Sequence, residues 1–308
     1  MKLTMMRGLP GSGKTTLARQ MVKEGGNSGR INRDDLRAML FNSEWTGKRE
    51  EVTIACEKAI ARVLFDHSMN PIIDDTNLGQ KHRQMWADFA KSAEQHFEMN
   101  DLDVNLYTCF DRDSKRAVGV GRPVIERLAL QNGLIEWDDR QIVLVDLDGT
   151  IADGRHREHF VQGEKKDWPS YFAACGEDGY IDLVCRWIGE LRQEYSVCLV
   201  SGRPDSWWKE TQLWLLRGIW DHGYRLDFNH VFMRSSGDKR PDTQVKADIL
   251  KYLPKDKIAF AIDDRPCVIR EVWRANGVGL FRYAESVRSS DATVRLRRPR
   301  ETGKADCR

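Results

Sequence analysis

The sequence has no long apolar segment and no regular cysteine pattern. None of its hydrophobic stretches approaches the length of a membrane-spanning helix, and the apolar start, MKLTMM, ends too soon at Arg7 for a signal peptide. The seven cysteines are an odd number without a Cys-x-x-Cys pair, which argues against a zinc ribbon and against a disulfide framework. These absences favour the reducing cytoplasm and predict no association with a membrane.

The sequence also has little net charge. Its 49 basic and 47 acidic residues leave a formal charge of +2, so any affinity for nucleic acid must come from local basic patches. A length of 308 residues, with 41% hydrophobic and 31% charged residues, is typical of a soluble globular protein with two domains of ordinary size.

A glycine-rich loop follows the first apolar stretch. Residues 2–7 predict a short buried strand, and GLPGSGKT follows it directly. This is the full G-x-x-x-x-G-K-[ST] pattern, whose glycines let backbone N–H groups surround phosphates at a helix N-terminus. Lys14 is expected to bridge the terminal phosphates of a nucleoside triphosphate and the Thr15 hydroxyl to bind Mg²⁺; the alternative is a turn that binds nothing. The predicted nucleotide-binding residues are Gly8, Gly11, Ser12, Gly13, Lys14 and Thr15.

Two acidic segments follow in the first half of the chain. The stretch INRDDLR (residues 31–37) predicts a strand end that enters a helix, where Asp34 would either deprotonate an acceptor hydroxyl or charge the helix N-terminus. The stretch NPIIDDTN (residues 70–77) is typical of a buried parallel strand whose carboxyl end meets a ligand crevice. One of its acids, Asp74 or Asp75, is a candidate for supporting the metal or for orienting the acceptor.

The rest of the first half predicts packing helices and a lid. Apolar residues at helical spacing predict helices over residues 47–68 and 78–97, and residues 102–110 predict a strand. Residues 111–123, DRDSKRAVGVGRP, combine closely spaced cations, glycines and a proline that can begin a helix. In a kinase such a segment is a lid whose arginines reach the transferred phosphoryl group; the alternative is a solvated charged surface.

The second half begins with another motif that carries phosphate chemistry. Residues 135–141 are polar and acidic and predict a linker, and residues 142–145 predict an apolar strand that delivers DLDGT. In this motif Asp146 is the expected nucleophile toward phosphorus. Asp148 would protonate the leaving oxygen and later activate water, and Gly149 permits the sharp turn that follows. Mg²⁺ would hold phosphate and carboxylate together.

The partners expected of this motif follow in order. Residues 196–200 and 257–262 predict further strands, and Lys246 lies between them in an amphipathic segment, where it can neutralise the phospho-aspartate. A hydroxyl and a guanidinium after the first strand can bind phosphoryl oxygens, and two acids after the second suit a metal. The residues so predicted are Ser201, Gly202 and Arg203 for phosphate, and Asp146, Asp148, Asp263 and Asp264 for Mg²⁺. From about Gln141 to about Leu280 the chain resembles the haloacid dehalogenase-type phosphatases.

The segment between residues 152 and 180 has little periodicity and predicts a small cap or substrate loop. His156 and His159 within it have no third ligand nearby, which weakens a metal role. Its aromatic residues would either stack on a nucleobase or be buried under the cap; they are Trp168, Tyr171 and Phe172. A row of tryptophans predicts a helix packed against the sheet; they stand at positions 207, 208, 214 and 220.

The end of the chain is basic. Residues 282–308 contain eight Lys or Arg against four Asp or Glu, hence +4, and few apolar residues. They predict a loosely ordered tail, which would either be solvated or contact a phosphate backbone.

The order of these motifs resembles the phage-type polynucleotide kinase–phosphatase family. The resemblance covers nearly the whole chain and depends on GLPGSGKTT, INRDDLR, DDTN, DRDSKR, VDLDGT, SGR, DTQVK and AIDDR. With the strand and helix patterns above, it implies two doubly wound α/β domains, a P-loop kinase followed by a haloacid dehalogenase-like Rossmannoid phosphatase. The implied boundaries are residues 1–134 for the kinase, 135–141 for the linker, 142–281 for the phosphatase and 282–308 for the basic tail.

The resemblance implies an enzyme that heals broken polynucleotides. The kinase would transfer the γ-phosphate of ATP to a 5′-hydroxyl, and the phosphatase would remove a 3′-phosphate through a phospho-aspartate, so that a polynucleotide ligase can join the ends. Mg²⁺ as cofactor, DNA or RNA ends as substrates, a cytoplasmic location (in the host cell if the gene belongs to a phage) and homo-oligomers are implied in the same way. One alternative is a kinase for sugars or nucleosides fused to a metabolite phosphatase. Another is a scaffold whose two halves only bind ligands.

The resemblance also implies roles for individual residues. Asp34 would be the general base for the 5′-hydroxyl, and Arg37 would bind the 3′-phosphate of the acceptor nucleotide. Asp75 and Thr76 would shape the acceptor pocket. The other implied assignments are Arg112 and Arg116 as a clamp on the ATP phosphates, Lys14 and Arg116 in kinase catalysis, Thr16 in the nucleotide site, Arg203 and Lys246 in phosphatase catalysis, and Asp242 in binding the 3′-phosphate substrate.

Overall fold

The computed structural model describes residues 1–281 and divides the chain into two compact units, Met1–Ile135 and Glu136–Arg308. The basic tail and the prediction made for it lie outside the described residues. Between residues 1 and 281, no helix is long and apolar enough to span a membrane.

The first unit is built on a four-stranded parallel sheet with the order β2-β3-β1-β4. Its strands are β1 (Lys2–Arg7), β2 (Ser28–Ile31), β3 (Asn70–Ile73) and β4 (His96–Asp101). Its helices are α1 (Lys14–Gly25), α2 (Arg33–Phe41), α3 (Gly47–Asp66), α4 (Gln80–Ser92), α5 (Leu106–Ser114) and α6 (Arg122–Gln131). Because all four strands are parallel, the loops after them gather at one edge of the sheet.

The core of the first unit surrounds β1, whose two faces are both covered. Leu3 and Met5 pack into one cluster with Trp86 of α4, while Met6 packs into another with Ala18 of α1. A strand covered on both faces is expected to be apolar at successive positions. The apolar run that predicted a buried strand over residues 2–7 is therefore explained, and that prediction is confirmed.

Two boundary predictions need correction. The predicted helix over residues 78–97 ends at Ser92, and the strand predicted over residues 102–110 is wrong, because that region enters α5. The actual strand, β4, begins at His96 and pairs along its full length with β1. It is an edge strand whose side chains are mostly exposed, with only Phe97 and Asn100 half-buried. Its sequence, HFEMND, therefore lacks the apolar run that marked the inner strands. The helix predicted over residues 47–68 is confirmed by α3.

The second unit is a five-stranded parallel sheet with the order β11-β10-β5-β8-β9. Its strands are β5 (Ile142–Val145), β8 (Ser196–Pro204), β9 (His230–Arg234), β10 (Ile258–Ile262) and β11 (Gly279–Phe281), and a small antiparallel ribbon is formed by β6 (Ala152–Asp153) and β7 (Gly179–Tyr180). Its helices include α7 (Trp168–Ala173), α8 (Asp182–Leu191), α9 (Trp208–His222) and α10 (Asp242–Leu250). Both units are thus α/β with parallel sheets, as predicted.

The row of tryptophans in and before α9 packs only in part. Trp214 is fully buried and stacks on Tyr180 with ring centroids 4.5 Å apart, whereas Trp220 is 70% exposed. Trp137, which falls within the predicted linker, packs edge-to-face against His230 of the second unit. Trp214 therefore anchors α9 in the core, with Trp208 partly buried against the same cluster. The chain is already packed into the second unit before β5 begins.

We predict that Trp86→Ala will lower the free energy of unfolding by about 3–5 kcal/mol, because a fully buried indole leaves a cavity when it is truncated. The same truncation at Trp45, which is 67% exposed in the first unit, should change it by less than about 0.5 kcal/mol. Urea titrations followed by circular dichroism measure both values. Equal losses from the two variants would contradict the assignment of Trp86 to the core.

Candidate active sites

The loop between β1 and α1 has the backbone of a phosphate cradle. Gly11 and Gly13 adopt positive φ angles of 83° and 99°, which side chains other than glycine rarely tolerate. A Cβ at Gly11 would collide with the backbone of Cys109 on α5, so the close approach of α5 also requires glycine there. The first turn of α1 begins directly after Gly13, which directs its unpaired N–H groups into the loop.

Lys14 lies inside this loop. Its Nζ donates to the carbonyl oxygen of Leu9 at 2.8 Å and lies 3.4 Å from the Ser12 hydroxyl. The side chain is only 8% exposed. Burial lowers the pKa of Lys14 to about 8, although attraction to Asp74 opposes the shift. The Leu9 carbonyl carries only a partial negative charge, so it balances the charge of Lys14 incompletely. A bound phosphate would supply a full negative charge.

The two acids after β3 point to different places. Asp74 is buried and forms an ion pair with Arg30 at 2.6 Å, and one of its carboxylate oxygens is buried without a hydrogen-bond partner. Burial raises the pKa of Asp74, although Arg30, Thr15 and Lys14 oppose the shift. Asp75 accepts the backbone N–H of Arg33 at 2.9 Å, at the start of α2. Of the two alternatives left open by the sequence, support of the metal therefore fits Asp74, and the acceptor side fits Asp75.

Helix α2 presents Asp34 and Arg37 together. The helix begins after Asn32, whose side chain accepts the backbone N–H of Asp35. Asp34 is 85% exposed at the side chain and forms an ion pair with Arg37 at 2.5 Å, while Glu50 of α3 holds the same guanidinium at 3.0 Å. An exposed carboxylate beside an anchored cation is a chemically sound arrangement for a general base next to an anion-binding group.

A buried charge network behind α2 was missed by the sequence analysis. The Arg33 guanidinium contacts Glu57 at 3.0 Å, Asp75 at 3.4 Å and Glu50 at 3.4 Å. Glu57 is fully buried, and burial together with repulsion from Asp75 raises the pKa of Glu57 to about 8. Glu57 thus shares its guanidinium partner with two other acids, which leaves room for a proton on Glu57 at neutral pH. The available signal was its position on the buried face of α3, with Thr53, Ala61 and Phe65 at four-residue spacing.

The predicted lid begins on α5 and continues to α6. Arg112 lies 3.3 Å from the carbonyl oxygen of Ser12 in the phosphate loop, and Arg116 lowers the pKa of Lys14 from nearby. Asp113 is buried and accepts the backbone N–H of Gly121 at 2.8 Å, which closes the glycine-containing turn between the helices. Arg112 therefore contacts the phosphate loop, whereas the half-exposed Arg116 forms an ion pair with Asp113, at 3.6 Å.

The two threonines assigned by resemblance differ in their surroundings. The carbonyl oxygen of Thr76 accepts the backbone N–H of Gly8 at 3.1 Å, so Thr76 ties the loop after β3 to the phosphate loop. Thr16 is exposed on the first turn of α1.

In the second unit, the sheet register brings acids from two strands together. The backbone N–H of Asp146 donates to the carbonyl oxygen of Ile262 at 2.9 Å, which continues the pairing of β5 with β10 and places Asp146 beside Asp263. Lys246 of α10 is fully buried, and its Nζ lies 2.8 Å from both carboxylates. Burial and neighbouring acids raise the pKa of Asp146, although Lys246 opposes the shift.

Three carboxylates at the ends of β5 and β10 are suited to a divalent cation. Asp146, Asp263 and Asp264 each offer an oxygen within 4.8 Å of the others. One oxygen of Asp264 is buried without a hydrogen-bond partner, and burial with repulsion from Asp263 raises the pKa of Asp264 to about 6. Oxygen ligands with excess negative charge fit Mg²⁺. A Cβ at Gly149, where φ is 82°, would collide with Asp264, so glycine is needed for the cluster to close.

The carboxylate of Asp148 lies outside this cluster, unlike the sequence prediction of a fourth metal ligand. It accepts from Arg203 and Arg157, each at 2.5 Å. Burial alone would raise the pKa of Asp148, but the two guanidiniums lower it well below its usual range. Its side chain therefore has charge partners of its own, separate from those of Asp146.

A second buried acid shares these arginines. Asp178 lies 2.6 Å from Arg157 and 2.8 Å from Arg203, and all three side chains are fully buried. His156 also contacts Asp178, at 3.1 Å, which places that histidine away from the metal cluster. Arg157 and Asp178 were missed because they lie in the aperiodic cap segment. A buried arginine within HREH, with an acid 21 residues later, has no recognisable spacing.

Asp242 and the carboxyl end of β8 complete the site. Asp242 lies between three cations, with Arg265 at 3.3 Å, Arg234 at 3.4 Å and Lys246 at 3.5 Å. A Cβ at Gly202 would collide with its carboxylate. The Ser201 hydroxyl accepts the backbone N–H of Arg203 at 3.1 Å. The sequence-predicted residues of this half therefore converge on the carboxyl ends of β5, β8 and β10.

We predict that Mg²⁺ alone will stabilise the protein through Asp264. Saturating Mg²⁺ without nucleotide should raise the melting temperature by about 5 °C, since a ligand at 100 times its Kd contributes about 2.7 kcal/mol. Asp264→Asn should remove most of that rise, whereas Asp256→Asn, at an exposed position, should keep it. Differential scanning fluorimetry measures the shift. An undiminished rise in Asp264→Asn would place the cation elsewhere.

We predict that Glu57 makes stability depend on pH. The pKa of Glu57 is about 8 in the folded protein and 4.5 in the unfolded chain. Between these pH values the folded protein therefore keeps a proton that the unfolded chain loses. Its contribution to the free energy of unfolding therefore falls by about 1.4 kcal/mol per pH unit between about 4.5 and 8. Glu57→Gln lacks this loss, so its stability relative to wild type should rise from pH 5 to pH 8.

Urea titrations at several pH values test the Glu57 prediction. Glu51→Gln, an exposed change on the same helix, is the matched control and should follow the wild-type curve. Parallel curves for wild type and Glu57→Gln would show that Glu57 is ionised throughout.

Sequence profiles of known families match the two units separately. Residues 3–130 match the AAA domain, and residues 140–286 match the "Polynucleotide kinase PNKP phosphatase domain". A curated relative from Autographa californica nuclear polyhedrosis virus, named "Putative bifunctional polynucleotide kinase/RNA ligase", is 26% identical over 303 residues. The alignment covers 89% of this chain and 41% of the relative, so the chain spans about two fifths of that protein's length.

Solved structures also resemble the chain. A chain of the Pnkp1/Rnl/Hen1 RNA repair complex is 25% identical, with 92% of this chain and 95% of that chain covered and a TM-score of 0.39. The APS kinase CysC of Mycobacterium tuberculosis is 23% identical, with 37% and 69% covered and a TM-score of 0.31. The two profile matches, each on the unit that carries the corresponding site, show that this chain joins a P-loop domain of the AAA family to a haloacid dehalogenase-type phosphatase domain of the polynucleotide kinase family.

Proposed function

We propose that the protein heals polynucleotide ends: it transfers the γ-phosphate of ATP to a 5′-hydroxyl and removes a 3′-phosphate through a phospho-aspartate. The observation that carries the proposal is the presence of two separate and complete phosphate sites in one chain. The match of the second unit to the phosphatase domain of a polynucleotide kinase favours polynucleotide ends over sugars or nucleosides. Adding and removing phosphate at the same atom would be futile, but acting on opposite ends of a break would not.

The proposed kinase uses the phosphate loop and α2. The loop N–H groups and Lys14 bind the phosphates of ATP. The Thr15 hydroxyl, supported by Asp74, would hold Mg²⁺, which would neutralise charge on the phosphates. Arg112 and Arg116 approach from α5 and stabilise the transferred phosphoryl group. The proposed acceptor side comprises Asp34 as general base, Arg37 on the 3′-phosphate of the acceptor nucleotide, and Asp75 and Thr76 in the pocket wall.

The proposed phosphatase reaction has two steps. An oxygen of Asp146 bonds to phosphorus while the bond to the 3′-oxygen breaks, and Asp148 donates a proton to that oxygen. In the second step Asp148 takes a proton from water, whose oxygen attacks the phospho-aspartate and releases phosphate and Asp146. Lys246 neutralises Asp146, and Ser201, Gly202 and Arg203 bind phosphoryl oxygens. Mg²⁺ held by Asp146, Asp263 and Asp264 would stabilise the charge on the phosphate.

Asp148 needs a proton before the first step, and the observed contacts explain how substrate can control it. Arg157 and Arg203 hold Asp148 as an anion, which is the form that the second step requires. A phosphoryl group that binds Arg203 draws one guanidinium away from Asp148 and so raises the pKa of this carboxyl group. Protonation of the acid is thereby coupled to substrate binding.

The products of the two reactions are a 5′-phosphate and a 3′-hydroxyl, which are the ends that a ligase joins. We therefore propose a polynucleotide ligase as the functional partner and DNA or RNA ends as the substrates. Action in the cytoplasm and assembly into homo-oligomers are proposed from the family resemblance alone. The name of the viral relative pairs a polynucleotide kinase with an RNA ligase in one protein, which supports this choice of partner.

We predict that single substitutions will separate the two activities. Lys14→Ala should lower 5′-phosphorylation by about 10²-fold or more and leave phosphate removal unchanged, because each unit carries its own site. Asp146→Asn should do the reverse, since an amide is a poor nucleophile. Oligonucleotides of DNA and RNA bearing a 5′-hydroxyl or a 3′-phosphate, incubated with ATP and Mg²⁺ and analysed by mass spectrometry, measure both reactions.

Matched controls for this assay are Lys48→Ala and Asp256→Asn, both at exposed positions, and neither should change the products. Transfer of phosphate only to mononucleosides or sugars would contradict the proposed substrate class. Loss of both activities from either Lys14→Ala or Asp146→Asn, in protein that unfolds normally, would contradict two independent sites.

A further inference from the structure

The cap of the phosphatase unit carries a group of aromatic side chains on one short helix, α7. Trp168 lies edge-to-face with Tyr171 at 5.6 Å and nearly parallel to Phe172 at 5.9 Å. The Nζ of Lys166 lies 5.9 Å from the Trp168 ring. We call Trp168, Tyr171 and Phe172 the aromatic platform. Its members were candidates either for stacking on a base or for burial under the cap.

The inner end of the platform reaches the reaction site. The Arg157 guanidinium lies over the Tyr171 ring at 4.1 Å, and its Nη2 bonds to Asp148 at 2.5 Å. Arg157 also donates to the backbone carbonyl oxygen of Tyr171 at 3.3 Å. The Tyr171 ring therefore packs on a cation that is itself bonded to Asp148. The platform is therefore continuous with the group that protonates the 3′-oxygen.

The outer end of the platform faces solvent. Trp168 is 43% exposed, whereas Trp214 and Trp273 of the same unit are buried, with exposed fractions of 0% and 1%. An indole used for packing is expected to resemble those two. Exposure of a large apolar ring beside a reaction site, next to a lysine, is instead typical of a surface on which bases stack while cations meet the phosphate backbone.

We propose that Trp168 stacks on the nucleobase of the nucleotide that carries the 3′-phosphate. This inference rests on the proposed function and names a substrate contact for it. The 3′-phosphate enters between Asp146 and Arg203, and the attached sugar and base extend past Arg157 and Tyr171 onto the exposed indole. Lys166 then faces the phosphate that links this nucleotide to its neighbour. Because every base has a π-face, the platform should accept all four bases.

The test compares Trp168→Ala with wild type on three substrates. These are an oligonucleotide with a 3′-terminal nucleotide 3′-phosphate, the same oligonucleotide with an abasic 3′-terminal residue, and p-nitrophenyl phosphate. The variant should raise KM for the first substrate about tenfold, with little change in kcat, since removal of a stacking partner weakens binding by this order. It should not change the kinetics of the other two, which offer no base at this position.

Two further variants keep the test specific. Trp168→Phe retains an aromatic face and should restore most of the affinity. Trp220→Ala removes an indole that is 70% exposed elsewhere in the unit and should have no effect. An equal loss on all three substrates would show that Trp168 only supports the cap, and an unchanged KM on the first would show that no base reaches it. Either result overturns the inference while the phosphatase activity stands.

Failure of the proposed function itself has a different outcome. Wild-type protein that hydrolyses p-nitrophenyl phosphate but neither oligonucleotide would overturn the polynucleotide phosphatase, and the stacking contact with it.

Discussion

Both sites depend on how cations balance buried acids at the carboxyl ends of parallel strands. Parallel pairing gathers these ends at one edge of each sheet, and carboxylates that follow the strands are forced into proximity there. In the second unit Lys246 lies 2.8 Å from both Asp146 and Asp263. In the first, Arg30 holds Asp74 at 2.6 Å. An uncompensated buried charge would cost several kcal/mol, so each site is held by its cation until phosphate or metal redistributes the charge.

The phosphatase unit keeps its two reacting acids in separate charge environments. Asp146 shares Lys246 with the other acids of the metal cluster, while Asp148, only two residues later, is bound by Arg157 and Arg203. The turn permitted by Gly149 makes the separation possible, since a side chain there would strike Asp264. Different partners therefore shift the pKa values of the two carboxylates in opposite directions, upward for Asp146 and downward for Asp148.

The sequence was most informative where a function needs consecutive residues. A phosphate loop requires glycines at fixed positions before Lys14, and a phospho-aspartate motif requires Asp146 and Asp148 on one turn, so both are visible as short patterns. The fold class followed from the apolar strands that deliver them. Edge strand β4 was not predicted because most of its side chains are exposed and it has no apolar run. Arg157, Asp178 and Glu57 escaped because their partners are distant in the chain, and an isolated charged residue does not reveal its burial.

The sequence by itself therefore determined which residues can perform phosphate chemistry, since local backbone geometry fixes their spacing. The tertiary structure alone decided how adjacent acids divide their work. Asp74 pairs with Arg30 while Asp75 accepts the backbone N–H of Arg33. Asp148 pairs with two arginines and does not join the three acids suited to a metal. It also decided that Trp168 is exposed while Trp214 is buried. The partner and the exposure of each of these side chains depend on packing between segments that are remote in sequence. A neighbouring cation or helix decides which conformation of the side chain has the lowest energy.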